Sequence, residues 1–404
     1  MNKLLALISG IGCAFWTGCS SVNTKTLDEC PVVIQTEMID GNPLVVCDQK
    51  LLSDTLQIPL SLLTEDMEII RFDNREDALV GEQMVVVSDN YLLVWNYNEN
   101  PVRLFDRKGK FLTNLGASGQ GPGEYWAIYD AQIDEANNRI YMLPWTSGQL
   151  LVYDLEGNVL PPVPLCLNIP KGKLWINAEE SEIAVFALPF PNVPAVAWTQ
   201  DFKGERKEYI EAGSLTAYDF NSEVYCGYNN PGIFDCMLKY CLPTRKDTLY
   251  HYDFRNNRLI PHFTMTFTTT DPIPNHEFYD LPHHFLGATA RSIQLSESMF
   301  GTTDPKHFII DKQTGKGAYM NLFNDFLGNE TLPLTSFDGN FPPYPNFRNG
   351  YYILNIDPGN LRDKLEKNLK AGKLSPGRQE KVTKLLGSIG PNDNNILLLA
   401  KLKR

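Results

Sequence analysis

The chain has 404 residues, 43% of them hydrophobic and 21% charged, an ordinary globular balance far from that of disordered chains. A formal charge of −12 argues against nucleic acid or an anionic membrane surface as partner, since both call for a basic footprint. With 18 Tyr, 21 Phe, 29 Gly and 27 Pro, the composition favours many short strands joined by turns.

At the N-terminus Lys3 precedes an apolar or small stretch, Leu4 to Trp16, that runs into Thr17-Gly18-Cys19. The stretch falls short of the ~20 residues that span a bilayer and reads as a signal peptide. It resembles a lipoprotein signal, in which cleavage occurs before a Cys that follows small residues. On that reading residues 1–18 are removed and Cys19 carries the lipid; an ordinary secreted protein or an uncleaved anchor is the alternative. Cys13 fits less well, because the apolar stretch before it is too short. Residues 19–55 are then expected to be the lipidated Cys and a tether, with the folded part at 56–404. No acidic run follows Cys19, which points to an exported chain on the outer membrane facing the periplasm, held to the membrane by its lipid alone.

Beyond the tether, a strand, an Asp, a short polar turn and a returning strand recur at steps of about 50 residues. The turns are Asp106 to Gly109, Asp154 to Gly157, Asp201 to Gly204, Asp253 to Asn257 and Asp311 to Gly315. Asn replaces Gly in the fourth, as it can where φ is positive. Each Asp carboxylate can accept backbone N–H bonds within its turn. Such a period suits one four-stranded antiparallel propeller blade. Residues 84–115 and 127–164 form the first two blades, and 172–212, 220–267 and 284–324 the next three. Strands at Tyr351 to Ile356 and Ile396 to Lys401 join N-terminal strands near Ile58 to Leu63 and Glu68 to Phe72 in a sixth, so that no free edge remains. The expectation is an all-β, six-bladed β-propeller, with seven blades as the alternative because 220–345 is irregular. A helical hairpin, 361–388, interrupts the last blade: Leu361, Leu365 and Leu369 recur at helical spacing, and Ser375-Pro376 suits a helix start. Its stretch from 361 to 386 carries eight Lys or Arg against three Asp or Glu, a solvated face or a docking surface for an acidic partner.

Between the first two blades lies Gly116-Ala117-Ser118-Gly119-Gln120-Gly121-Pro122-Gly123-Glu124-Tyr125. The spacing is not that of a dinucleotide fingerprint; the glycines let the chain turn sharply from one blade into the next, and Tyr125 can pack between blades. With Tyr129-Asp130-Ala131-Gln132-Ile133 after it, the motif resembles the inter-blade signature of NHL-like propellers. More narrowly, it resembles the six-bladed β-propeller lipoproteins of Gram-negative gut bacteria, a family largely of unknown function. The resemblance extends to Asp66 to Arg71 and to the helical insertion. It implies a fold and a compartment and supplies no catalytic residues.

His251, His262, His276, His283 and His284 cluster in sequence near Glu277 and Asp280, but no HExxH or CxxC spacing occurs, so no metal site is expected. Gly116 to Gly119 falls one residue short of a nucleophile elbow. Among Cys30, Cys47, Cys166, Cys226, Cys236 and Cys241, export permits disulfides, and the proximity of the last three suggests one pair among them; buried free thiols are the alternative. Trp126 and Trp145 lie in or beside turns next to Glu124 and Tyr125, and these four are the candidate ligand-binding residues. The function expected is that of a monomeric binding module for a glycan, a peptide or an envelope protein, without cofactor. The alternative is a propeller hydrolase or lyase with a central-channel active site around calcium.

Overall fold

The computed structural model describes residues 25–81, 84–96, 99–241, 244–269, 272–294, 300–335 and 346–404; the signal segment and Cys19 lie outside them. Six antiparallel sheets follow one another around a ring, a six-bladed β-propeller. Blades one to five occupy 84–115, 128–169, 172–211, 223–266 and 275–323. The irregular stretch therefore holds two blades, and six is the count. Second strands such as Tyr91–Asn96 bury Leu92, Leu93, Val94 and Trp95 in succession, because a sheet between two others is covered on both faces.

Blade six is assembled from both chain ends. Phe347–Arg348, Tyr351–Ile356 and Ile396–Leu402 supply three strands, and Thr64–Arg71 pairs antiparallel with the last, Leu398 opposite Ile69. This closure covers the edge that an open ring would leave. The two helices, Pro358–Ala371 and Pro376–Leu386, sit between the second and third strands and bury Leu361, Leu365, Val382 and Leu385. Gly372 ends the first helix at φ 63°, a left-handed conformation in which a side chain would be strained.

The Asp turns behave as their sequence suggests. Asp106 Oδ1 accepts the backbone N–H groups of Lys108 and Lys110 at 2.8 and 2.9 Å. Asp154 does so for Glu156 and Asn158, and Asp201 for Lys203 and Glu205. Asn257 takes φ 48° where the other turns use Gly.

One boundary is corrected. Residues expected to be a tether are folded well before residue 56. Ile34–Ile39 and Asn42–Asp48 form a hairpin whose second strand runs parallel to the outer strand of blade four, Val45 beside Phe263. Thr55–Pro59 likewise extends blade five, Leu56 beside Met320. The hairpin turn is Asp40-Gly41, both at positive φ, a strong two-residue hairpin signal. The driving force is burial of Val33, Val46, Cys47 and Leu52, with two sheet edges covered at the same time.

Candidate functional site

The Gly-rich segment positions the sequence-predicted residues, and it separates them. Gly116 has φ 68°, and a Cβ there would meet Gly123 O at 2.4 Å. The turn that results drives Tyr125 inward. Its hydroxyl donates to Leu115 O at 2.6 Å and accepts from Val102 N at 2.7 Å. Tyr125 is thus buried between blades one and two, away from the exposed loop face. Tyr125→Phe leaves the Val102 N–H and Leu115 C=O without this partner, and we expect a loss of about 1–3 kcal/mol in urea unfolding. A variant as stable as the wild type would mean that the hydroxyl is dispensable. Glu124 is exposed, and its carboxylate accepts from Gly121 N at 2.7 Å, holding the loop.

The two tryptophans do share a face. Ile128 pairs with Pro144, so Trp126 and Trp145 emerge at the same end of blade two. Trp126 is 76% exposed. Trp145 packs on Phe220 at a ring separation of 5.7 Å, and Phe220 stacks on Phe190 at 5.5 Å. Phe190 comes from a turn of blade three; Phe220 and Tyr218 come from the connection into blade four, at the same end of the ring. Phe220 is 50% and Tyr218 80% exposed. The connection is pinned from below: Lys171 Nζ donates to Phe220 O, Ser222 O and Glu223 Oε1 at 2.7, 2.9 and 2.6 Å. Glu223 also accepts from Tyr129 OH. The aromatic face is therefore held in shape before any ligand arrives, which lowers the ordering cost of binding.

Charged side chains bridge the inner strands of blades two, three and six. Arg348, on the inner strand of blade six, reaches Asp130 on that of blade two at 2.8 Å, and Lys173 of blade three lies 3.5 Å from the same oxygen. Toward the opposite end, the loop after the inner strand of blade four crosses to blade six: Asn349 N donates to Gly227 O at 2.8 Å, and Asn229 Nδ2 to Phe347 O at 3.3 Å. Asp235 fixes that loop by accepting from Gly227 N and Tyr228 N. Burial, with Asp280 nearby, pushes the Asp235 carboxyl up to about 7.

On the same end as this loop, His251 and His262 of blade four meet Asp280 of blade five. Their rings stack at 3.7 Å. Nε2 of His251 lies 2.9 Å, and Nε2 of His262 3.5 Å, from Asp280 Oδ2. Lys312 Nζ donates to Asp280 Oδ1 and to Leu281 O. The hydrogen bond to His251, the His262 ring beside it and the Lys312 charge hold the Asp280 carboxyl well below the usual range despite its burial. His251 also lines a cleft of about 720 Å³ with Trp175, Phe234, Tyr252, Phe254 and Arg255. The other histidines stand apart: His276 is buried against Pro274 and Asp247, and His284 faces Asp311. Of the cysteines, Cys226 and Cys236 approach to 3.4 Å as thiols, while Cys241 lies against Asn221 O.

Among known proteins, a Bacteroides fragilis protein described as a candidate exported protein shares the fold at TM-score 0.57 and 14% identity, over 89% of this chain and 100% of its own. A Bacteroides vulgatus member of the duf4221 family aligns at TM-score 0.40 and 11% identity, over 84% and 97%. No curated protein matches the sequence. A family profile described as a domain of unknown function, DUF4934, matches residues 44–401. That span runs from within the Asn42–Asp48 edge strand into the last strand of blade six, so the chain belongs to the DUF4934 family.

Proposed function

We propose that the protein is an exported, lipid-anchored binding module, attached through Cys19, whose aromatic loop face takes up a neutral glycan. The carrying observation is the pinned platform: Trp126 and Tyr218 stand exposed beside Trp145 and Phe220, and Lys171 fixes the connection beneath them. Flat aromatic side chains match the apolar faces of sugar rings, and the buried Lys171 ammonium at the platform is already spent on Phe220, Ser222 and Glu223. The signal-like N-terminus and the exported description of a protein with the same fold support the compartment. The binding reading is preferred to a channel enzyme because the channel carboxylate Asp130 is engaged by Arg348 and Lys173, and Glu277 by Lys239 and Tyr279.

Calorimetric titration of the chain from Ser20 onward with glycan and peptide panels tests this. Trp126→Ala and Tyr218→Ala are expected to weaken glycan binding by about tenfold or more with unchanged unfolding midpoints, since both side chains are exposed. Wild-type affinity in both variants would remove the aromatic face from the function, and binding confined to peptides would replace the ligand class.

A further inference from the structure

We propose that His251, His262 and Asp280 form a binding site for a divalent first-row transition cation, for which Zn²⁺ is the fitted ion. The case is geometric. One ligand atom from each residue converges, all within 4.8 Å of one another. The two measured separations to Asp280 Oδ2, 2.9 and 3.5 Å, bracket the donor–donor edge of about 3.3 Å that a tetrahedron with Zn–N and Zn–O bonds near 2.0–2.1 Å requires. His262 Nε2 is shielded from solvent and lacks a hydrogen-bond partner, because it sits over the same oxygen that His251 already engages. A cation placed between the three would use that unspent lone pair.

The surroundings are those of a ligand set held from behind. Asp280 presents one oxygen to the histidines while Lys312 takes the other, and such outer contacts orient a metal-binding carboxylate. Phe285 packs on the His262 ring at 5.4 Å and lies under Lys312 at 4.7 Å, which keeps water from the back of the cluster. Nitrogen donors select Zn²⁺ and its neighbours over calcium, which takes oxygen ligands. Three protein ligands leave at least one coordination position open. His251 also lines the neighbouring aromatic cleft, so a ligand in that cleft would meet the residue that holds the ion. The inference is independent of the aromatic platform at the other end of the ring.

The test is titration of chelator-stripped chain, from Ser20 onward, with Zn²⁺ and with Ca²⁺. Wild type is expected to bind one Zn²⁺ per chain and no Ca²⁺ at this site. His251→Gln and His262→Gln, which keep side-chain bulk, are expected to weaken Zn²⁺ by more than about 100-fold, and His284→Ala, outside the cluster, to leave it unchanged. Substitution with Co²⁺ gives a readout that needs no variant: visible absorption bands of a four-coordinate ion in the wild type. Absence of saturable Zn²⁺ binding by the wild type, or equal affinity in both glutamine variants, would overturn the proposal.

Discussion

Asp130→Asn is expected to destabilise the propeller by about 3–5 kcal/mol, the range for removing one partner of a buried ion pair. Asp130 is fully buried, and three groups converge on it: Arg348 at 2.8 Å, Lys173 at 3.5 Å and the backbone N–H of Leu174 at 3.1 Å. Asparagine keeps an acceptor for one of them and removes the carboxylate charge that touches both buried cations. The cations then respond differently. Burial already lowers the Lys173 ammonium, so Lys173 can shed its proton and escape part of the penalty. Arg348 cannot be neutralised at any ordinary pH, and the cost falls on it. Arg348→Met in the Asp130→Asn background should therefore recover much of the loss, while Arg348→Met alone leaves Asp130 with Lys173 and costs less than Asp130→Asn. Urea unfolding of the four proteins measures the coupling. Additive losses, or an Asp130→Asn midpoint equal to the wild type, would show that the contact across the channel contributes nothing to closing the ring.

This contact also marks where sequence reading stops. The blades were legible because their signals are local: an Asp whose carboxylate collects N–H groups two and four residues on, followed by Gly or Asn at positive φ. The shared sixth blade followed from the need to cover edges. The folded hairpin before residue 56 carried an equally local signal, Asp40-Gly41 between apolar runs, yet lay in a stretch assigned to the tether because a polar segment precedes it. Trp126 and Trp145 could be found as turn aromatics within one blade. Phe190, Tyr218 and Phe220 could not, because three blades bring them to the same face. Tyr125 carried two readings, packing between blades and ligand contact, and the close approach of Gly116 to Gly123 sends it into the blade interface. His251, His262 and Asp280 show no recognisable spacing, since adjacent strands of one blade and the first strand of the next supply them. Ring order, not sequence distance, makes them neighbours.

His276 is expected to make the fold acid-sensitive. Its ring is buried beside Phe267 and Phe278. The Asp247 N–H donates to Nε2 at 3.2 Å, so that nitrogen is an acceptor; Nδ1 carries the proton and donates to Pro274 O at 2.8 Å. Both nitrogens are occupied only while the ring is neutral. Burial is the main reason its pKa falls to about 4, and the Lys239 and Lys246 charges push the same way. In the unfolded chain the ring titrates near its ordinary 6.5. Between those values the unfolded chain binds a proton that the folded chain refuses. Stability is thus complete above pH 6.5 and falls as pH drops toward 4, by about 3 kcal/mol at most. Below pH 4 the folded ring protonates as well and this contribution stops changing. His276→Gln keeps a donor and an acceptor but cannot titrate. Its unfolding free energy should lie below the wild type's at pH 7, with the difference narrowing as pH falls from 6.5 to 4. Paired urea titrations across that window cancel the carboxylates common to both proteins. A wild-type-minus-variant difference that stays constant with pH would mean that His276 is protonated equally in the folded and unfolded chains, and that the Asp247 N–H does not hold the ring neutral.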